Sequence, residues 1–241
     1  LQEDVTYYIS VRALNGAGLW SDVGSSDGIT VPALVNTIAD AKLMADDQGM
    51  RLTGKVVVAG TDSLPDLPGP AFFYIEEENR TSGIKVVSAE PISTGCVVDI
   101  AGEIETVDGE RQITASVVRV SSAEGTAPDA LNMMDRAIGG FALNEHTPGV
   151  YKSFGPHNVG LLVMTWGKVT YAGGADEDYC YVNGGSYLRD GSGHAGVKVY
   201  CGHLTKPAVG STVLVTGISS CEPLAERLVR RVLATKIVEY P

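Results

Sequence analysis

Apolar and polar positions alternate with period two through most of the chain, in short runs set off by glycine and proline. Leu52-Thr53-Gly54-Lys55-Val56-Val57-Val58, Phe72-Phe73-Tyr74-Ile75-Glu76 and Gly83-Ile84-Lys85-Val86 each read as a strand. The pattern returns about 113 positions on, with Gly54 matched by Gly167, as Thr165-Trp166-Gly167-Lys168-Val169, Tyr179-Cys180-Tyr181-Val182 and Gly196-Val197-Lys198-Val199. Strands are expected near 51–60, 71–78, 83–89, 96–107 and 110–120, and again near 161–172, 178–183, 196–201, 211–219 and 228–239. The chain is therefore expected to be all-β, with one five-stranded unit present twice.

The remaining segments are placed around that repeat. Residues 1–31 alternate as two strands around Asn15-Gly16-Ala17-Gly18, a hairpin whose apolar side chains include Tyr7, Ile9, Val11, Ile29 and Val31. A lone hairpin is marginal in water, so it is expected to dock on the repeats or on another chain, in the sharper version by adding strands to a neighbouring subunit. Val31-Pro32-Ala33-Leu34 is a short linker, and Asn36 or Thr37 can cap a helix through Met44, ended by Gln48-Gly49. The loop 62–70, with three prolines, can be neither helix nor strand. Asp108-Gly109 makes a tight turn. Residues 122–158 carry one or two helical turns at 130–138 and are otherwise a long connection, expected to brace both units. The divisions are thus 1–31, 36–121, 122–158 and 159–241.

Composition narrows the partners. A net charge of −11 excludes the cationic surface that nucleic acid requires, and no apolar run reaches the roughly 20 residues of a membrane span. The chain opens Leu1-Gln2-Glu3-Asp4 without an initiating methionine or signal sequence, as an excised or processed piece would. Of four cysteines, Cys96 alternates in phase with Val98 and Ile100 as a core residue, which leaves at most one bridge among Cys180, Cys201 and Cys221. If Val182 faces Val197, Cys180 lies opposite Val199, so a Cys180–Cys201 bond is expected to be diagonal and strained, with Cys221 the better partner for one of them.

Two resemblances follow from these residues. Tyr8-x-x-Val11-x-Ala13-x-Asn15-x-x-Gly18-x-x-Ser21, with Ser26-x-Gly28, resembles the last two strands of a fibronectin type III domain and covers only a part of one. The five-strand order, with Phe73-Tyr74-Ile75-Glu76-x-x-x-Arg80-x-Ser82-Gly83-Ile84-Lys85-Val86, is similar to tandem OB-fold-like modules of bacterial secreted and surface proteins. It lacks the helix that OB barrels often carry between strands three and four, since 90–95 is too short for one. The resemblance implies two five-stranded OB-like barrels in tandem, an extracellular or cell-surface location and a non-catalytic role, without defining a ligand.

Candidate chemistry is sparse. With Ile75, Ile84 and Val86 inward, Tyr74, Glu76 and Lys85 point outward on the face where such barrels bind ligands, and the second copy presents Tyr179, Tyr181, Lys198 and Tyr200. These tyrosines can stack on sugar rings or enter a partner chain, or be ordinary cross-strand pairs. Asp176-Glu177-Asp178 and Asp190-x-Ser192 are oxygen-rich turns that lack a calcium-loop spacing. The four histidines show no metal-ligand spacing, no nucleophile elbow occurs, and neighbouring glutamates on a strand face opposite ways, so neither catalytic nor metal residues nor a cofactor are expected. The expected partners are further copies of the chain, as oligomer or polymer, with a polysaccharide as the alternative and neither nucleic acid nor membrane insertion.

Overall fold

The computed structural model of the chain describes residues 2, 5–64, 67 and 69–240. Residues 65, 66 and 68 of the expected loop lie outside them. The chain is all-β apart from two short helical turns among the described residues. At the N-terminus stand four two-residue strands, β1 (Thr6–Tyr7), β2 (Ser10–Val11), β3 (Gly24–Ser25) and β4 (Ile29–Thr30). β1 pairs antiparallel with β4 and β2 with β3, and Leu14 bridges Trp20. Asn15 closes the tip, its Oδ1 accepting from the N–H groups of Ala17 and Leu19 at 2.9 and 3.0 Å.

This ribbon does not dock on the repeats of its own chain, contrary to one of the expectations above. Ile9, Val11 and Ile29 are 64%, 65% and 64% exposed, and Tyr8, Leu14, Leu19, Trp20 and Val23 also face solvent. Tyr7 and Val31 are half-buried. In the linker that follows, β5 (Ala33–Leu34) runs parallel beside Met50 and Arg51.

Helix α1 (Ile38–Leu43) starts where the sequence places it, Thr37 Oγ1 accepting from the Asp40 N–H at 3.0 Å. It ends at Met44, with Ile38 and Ala41 buried. Then come β6 (Gly49–Ala59), β7 (Phe72–Glu76), β8 (Gly83–Val87), β9 (Val97–Val107) and β10 (Glu110–Ser122). They pair in the order β6–β7–β8–β10–β9, and β9 returns to β6, closing a five-stranded barrel. β6 serves both seams, pairing with β9 from Gly49 to Val56, with a bulge between Leu52 and Lys55, and with β7 from Val56 to Ala59. Asp108 and Gly109 hold positive φ of 52° and 79°, which suits an Asp-Gly pair in a two-residue hairpin turn. Leu52, Phe73, Ile75, Ile84, Val86 and Ile100 fill the interior, with Cys96 among them as expected.

Within the connection, a single 3-10 turn at Asp135–Ala137 falls inside the span 130–138 expected to carry one or two helical turns, and β11 (Leu131–Asn132) precedes it. β11 lies parallel on Val163 and Met164, as β5 does on β6, so the pull of an open strand edge outweighs local propensity. The connection reaches both units: Thr147 Oγ1 donates to the Lys42 carbonyl at 2.7 Å, and Arg230 donates to the Tyr151 carbonyl at 2.8 Å. The second unit comprises β12 (Leu162–Ala172), β13 (Tyr179–Asn183), β14 (Val197–Tyr200), β15 (Thr212–Leu224) and β16 (Arg227–Tyr240). It repeats the strand order, and β12 again pairs with β15 as well as with β13.

The two units meet backbone to backbone at Gly83 and Gly160. A Cβ on Gly83 would stand 2.2 Å from the Gly160 oxygen, with no flexible side chain able to yield. Gly83→Ala is therefore expected to lower stability by about 2 kcal/mol or more in urea unfolding. Gly16→Ala, where a Cβ meets nothing within 4 Å, should stay within about 0.5 kcal/mol of the parent.

Candidate binding face

The outward face of strands two and three has opposite fates in the two units. In the first, Phe72 and Tyr74 pack with Val58, Ala59 and Leu64 against Ile218 and Leu233 of the second unit. Tyr74 is fully buried, and its hydroxyl donates to Glu110 Oε1 at 2.8 Å. Lys85 is half-buried, with Nζ 4.5 Å from the centre of the Phe72 ring. Neither residue thus belongs to an open ligand surface; both serve the junction between units.

That junction holds several charges out of water. Glu110 accepts from Tyr74 and, through Oε2, from the Ser220 hydroxyl at 2.8 Å, and Arg231 lies 3.7 Å away. Lys42 of α1 donates to the Val159 carbonyl at 2.7 Å, and burial brings its pKa down to about 8. Glu76 accepts from the Leu162 N–H at 2.9 Å through Oε2, while Oε1 has no hydrogen-bond partner among the described residues. Burial raises its pKa to about 7, against the lowering effects of that N–H and of Arg80 and Lys42. Beside it a cleft of about 460 Å³ runs between the connection and the β7–β8 turn, lined by Leu131, Met133, Phe154, Leu161, Arg80 and His157. Burial, helped by the charge of Lys42, brings His157 down to about 3.

In the second unit the corresponding face keeps an open side. Tyr179 and Tyr200 are cross-strand partners with ring centres 6.0 Å apart, and Tyr181 meets Tyr179 edge-on at 6.1 Å. Tyr171 joins them, because a bulge between Val169 and Tyr171 sets it opposite Tyr181, and His194 stacks on it at 3.7 Å. Sequence alternation missed these two: the bulge breaks the period, and His194 lies in a loop. Lys198 Nζ sits 4.4 and 4.7 Å from the Tyr179 and Tyr200 ring centres and 2.8 Å from Glu222 Oε1. Tyr181 is itself buried. Its hydroxyl donates to Asp190 at 2.9 Å.

The oxygen-rich turns are organised by this face. Glu177 accepts from the Gly174 N–H and from the Tyr179 and Tyr171 hydroxyls, which pull its pKa down to about 2. Asp190 accepts from the Ser192 N–H and hydroxyl as well as from Tyr181. Among the described residues no three His, Cys, Asp or Glu side chains are grouped to hold a metal ion. The face is thus a half-buried aromatic ledge rimmed by carboxylates held by neutral donors, suited to stacking against a flat, hydroxyl-bearing surface.

Fold and face together define an all-β protein containing a closed five-stranded barrel and an aromatic surface on the unit that follows. Compared with protein-family models and with curated proteins, the chain matches none.

The buried Glu76 gives a signed pH effect. Because its folded pKa is raised above 4.5, the folded state binds the proton more tightly, and that contribution is lost as pH rises through about 7. Glu76→Gln keeps an acceptor for the Leu162 N–H and removes the titration. It should be more stable than the parent by about 1–3 kcal/mol at pH 8, with the difference shrinking toward pH 4, in urea midpoints measured at both pH values.

Proposed function

We propose that the chain is a non-catalytic extracellular structural or adhesive protein that self-associates through its N-terminal ribbon. In this reading both units are OB-like barrels, and the ribbon is the end of a fibronectin type III-like sheet that supplies strands to a neighbouring copy. The observation that carries it is the ribbon's exposure: Ile9, Val11, Leu14, Trp20 and Ile29 all stand in solvent. Burying each large apolar side chain is worth about 1.5–3 kcal/mol, and a two-stranded ribbon has no stable core of its own. A ribbon at one end and a body elsewhere make a head-to-tail contact, which propagates into fibres if it does not close into a ring. The charge of −11 on each copy opposes assembly, so salt should favour it.

A second reading, a carbohydrate-binding accessory module, is favoured by the ledge of Tyr179 and Tyr200, with Trp166 and Tyr187 exposed on the same unit. Size-exclusion chromatography with light scattering separates the two. Assembly is expected to rise with salt and to be lost on deleting residues 1–31. An intact chain that stays a 25.3 kDa monomer at every concentration sinks it, and the glycan reading then requires Tyr179→Ala and Tyr200→Ala to weaken retention on a polysaccharide gel.

A further inference from the structure

Cys180 on β13 and Cys201, the residue after β14, both turn into the core of the second unit, 0% and 1% exposed. Their sulfurs are 3.9 Å apart. The register explains the approach. Cys180 faces Val199 and Tyr179 faces Tyr200, while the Cys201 N–H donates to the Asp178 carbonyl at 2.7 Å. Cys201 therefore stands one diagonal step from Cys180 on the same inward side.

The other cysteines have different surroundings. Cys221 packs with Val150, Val159 and Leu228, and Cys96 sits inside the first barrel. Geometry thereby corrects the expectation that Cys221 is the better partner: it brings Cys201 to Cys180 and places Cys221 in a separate cluster.

We infer that Cys180 and Cys201 form an intrachain disulfide when the chain folds in an oxidising medium, the adjacent thiols of this structure being its reduced state. The sulfurs must close from 3.9 Å to about 2.05 Å, and rotation about χ1 of both residues serves this. Cys201 lies past the last ladder pair of β14, its backbone held by Asp178 and Leu204, so side-chain rotation supplies the closure. One thiolate attacks a sulfur of a small disulfide of the glutathione class and releases one reduced thiol; the second cysteine then displaces the other. The pair gives up two electrons and two protons, and the oxidant ends as two thiols. The sulfur–sulfur contact with Cys180 lowers the Cys201 pKa despite burial, and the charge of Lys206 adds to this, which favours Cys201 as the attacking thiolate. The bond would close a loop carrying Tyr181, Asp190, His194 and Lys198, and so tether the aromatic face from beneath.

The full chain, refolded in a glutathione redox buffer and then denatured and alkylated, tests this. Two of the four cysteines should take up the alkylating reagent, and the unalkylated protein should weigh about 2 Da less than after dithiothreitol. Cys221→Ser should keep the bridge, and Cys180→Ser should lose it. Should Cys180→Ser fail to fold, chymotryptic mapping of the unsubstituted chain, cut after Leu204 and Leu214, still distinguishes Cys201 from Cys221. Four alkylated cysteines in the refolded chain, or a bridge that includes Cys221, overturns the assignment.

Discussion

The carboxylate of Glu110 is the constraint on which the arrangement of the two units depends. It lies at the start of β10, directly after the Asp108-Gly109 turn, and is 3% exposed. A carboxylate in that position costs several kcal/mol unless its oxygens are met, and its partners come from both units: Tyr74 from the first, Ser220 and Arg231 from the second. Separation of the units would take Ser220 and Arg231 away from Glu110 as well as exposing Phe72, Ile218 and Leu233. Apolar burial supplies the attraction, and the carboxylate fixes the register in which it is obtained.

The same network reaches the aromatic face. Arg231 stands 3.5 Å from Glu222, and Glu222 in turn holds Lys198 and accepts from the Tyr200 hydroxyl. Lys198 is thus neutralised from the junction side while its ammonium faces two tyrosine rings. Both units carry an outward aromatic face on strands two and three. In the first, Phe72 and Tyr74 seat the second unit; in the second, Tyr179, Lys198 and Tyr200 remain half-buried. The same place in the fold accordingly serves cohesion in one unit and keeps an open side in the other.

How much of this the sequence shows depends on whether the signal is local. Period-two alternation marks all ten long strands, and it assigns Ile75, Ile84 and Val86 to the interior and Tyr74, Tyr179 and Tyr200 to the outer side. The Thr37 cap and the Asp108-Gly109 turn are equally local. What alternation leaves out is covering by distant residues. Glu76 opens an acidic run, Glu76-Glu77-Glu78, that has the look of surface, yet Gly160 and Leu162 of the other unit enclose it. Tyr74 is matched in register by Tyr181, each opposite a lysine, and both are buried; the units differ at Phe72 and its counterpart Tyr179, the first buried in the junction and the second half-buried. The two-residue strands β5 and β11 are too short for any period, and Tyr171 joins the face through a bulge that breaks the period it should follow.

The N-terminal ribbon is the one part of the chain in which these levels disagree. In the two units the alternation of the long strands fills a core, and even the irregular 122–158 connection is held by Lys42, Leu228 and Arg230. In the ribbon, strand-forming residues pair only with one another: Thr6 with Thr30, Ser10 with Ser25, and Leu14 with Trp20. The cross-strand hydroxyl contacts Thr6–Thr30 and Ser10–Ser25 are solvent-exposed, each worth about 0.2–1 kcal/mol, too little to order a segment of this length. A sequence selected for folding alone has no reason to keep Ile9, Val11 and Trp20 in water. Under the proposed assembly a neighbouring copy would cover them; within this chain the ribbon is followed by β5, which lies along the first barrel's opening strand.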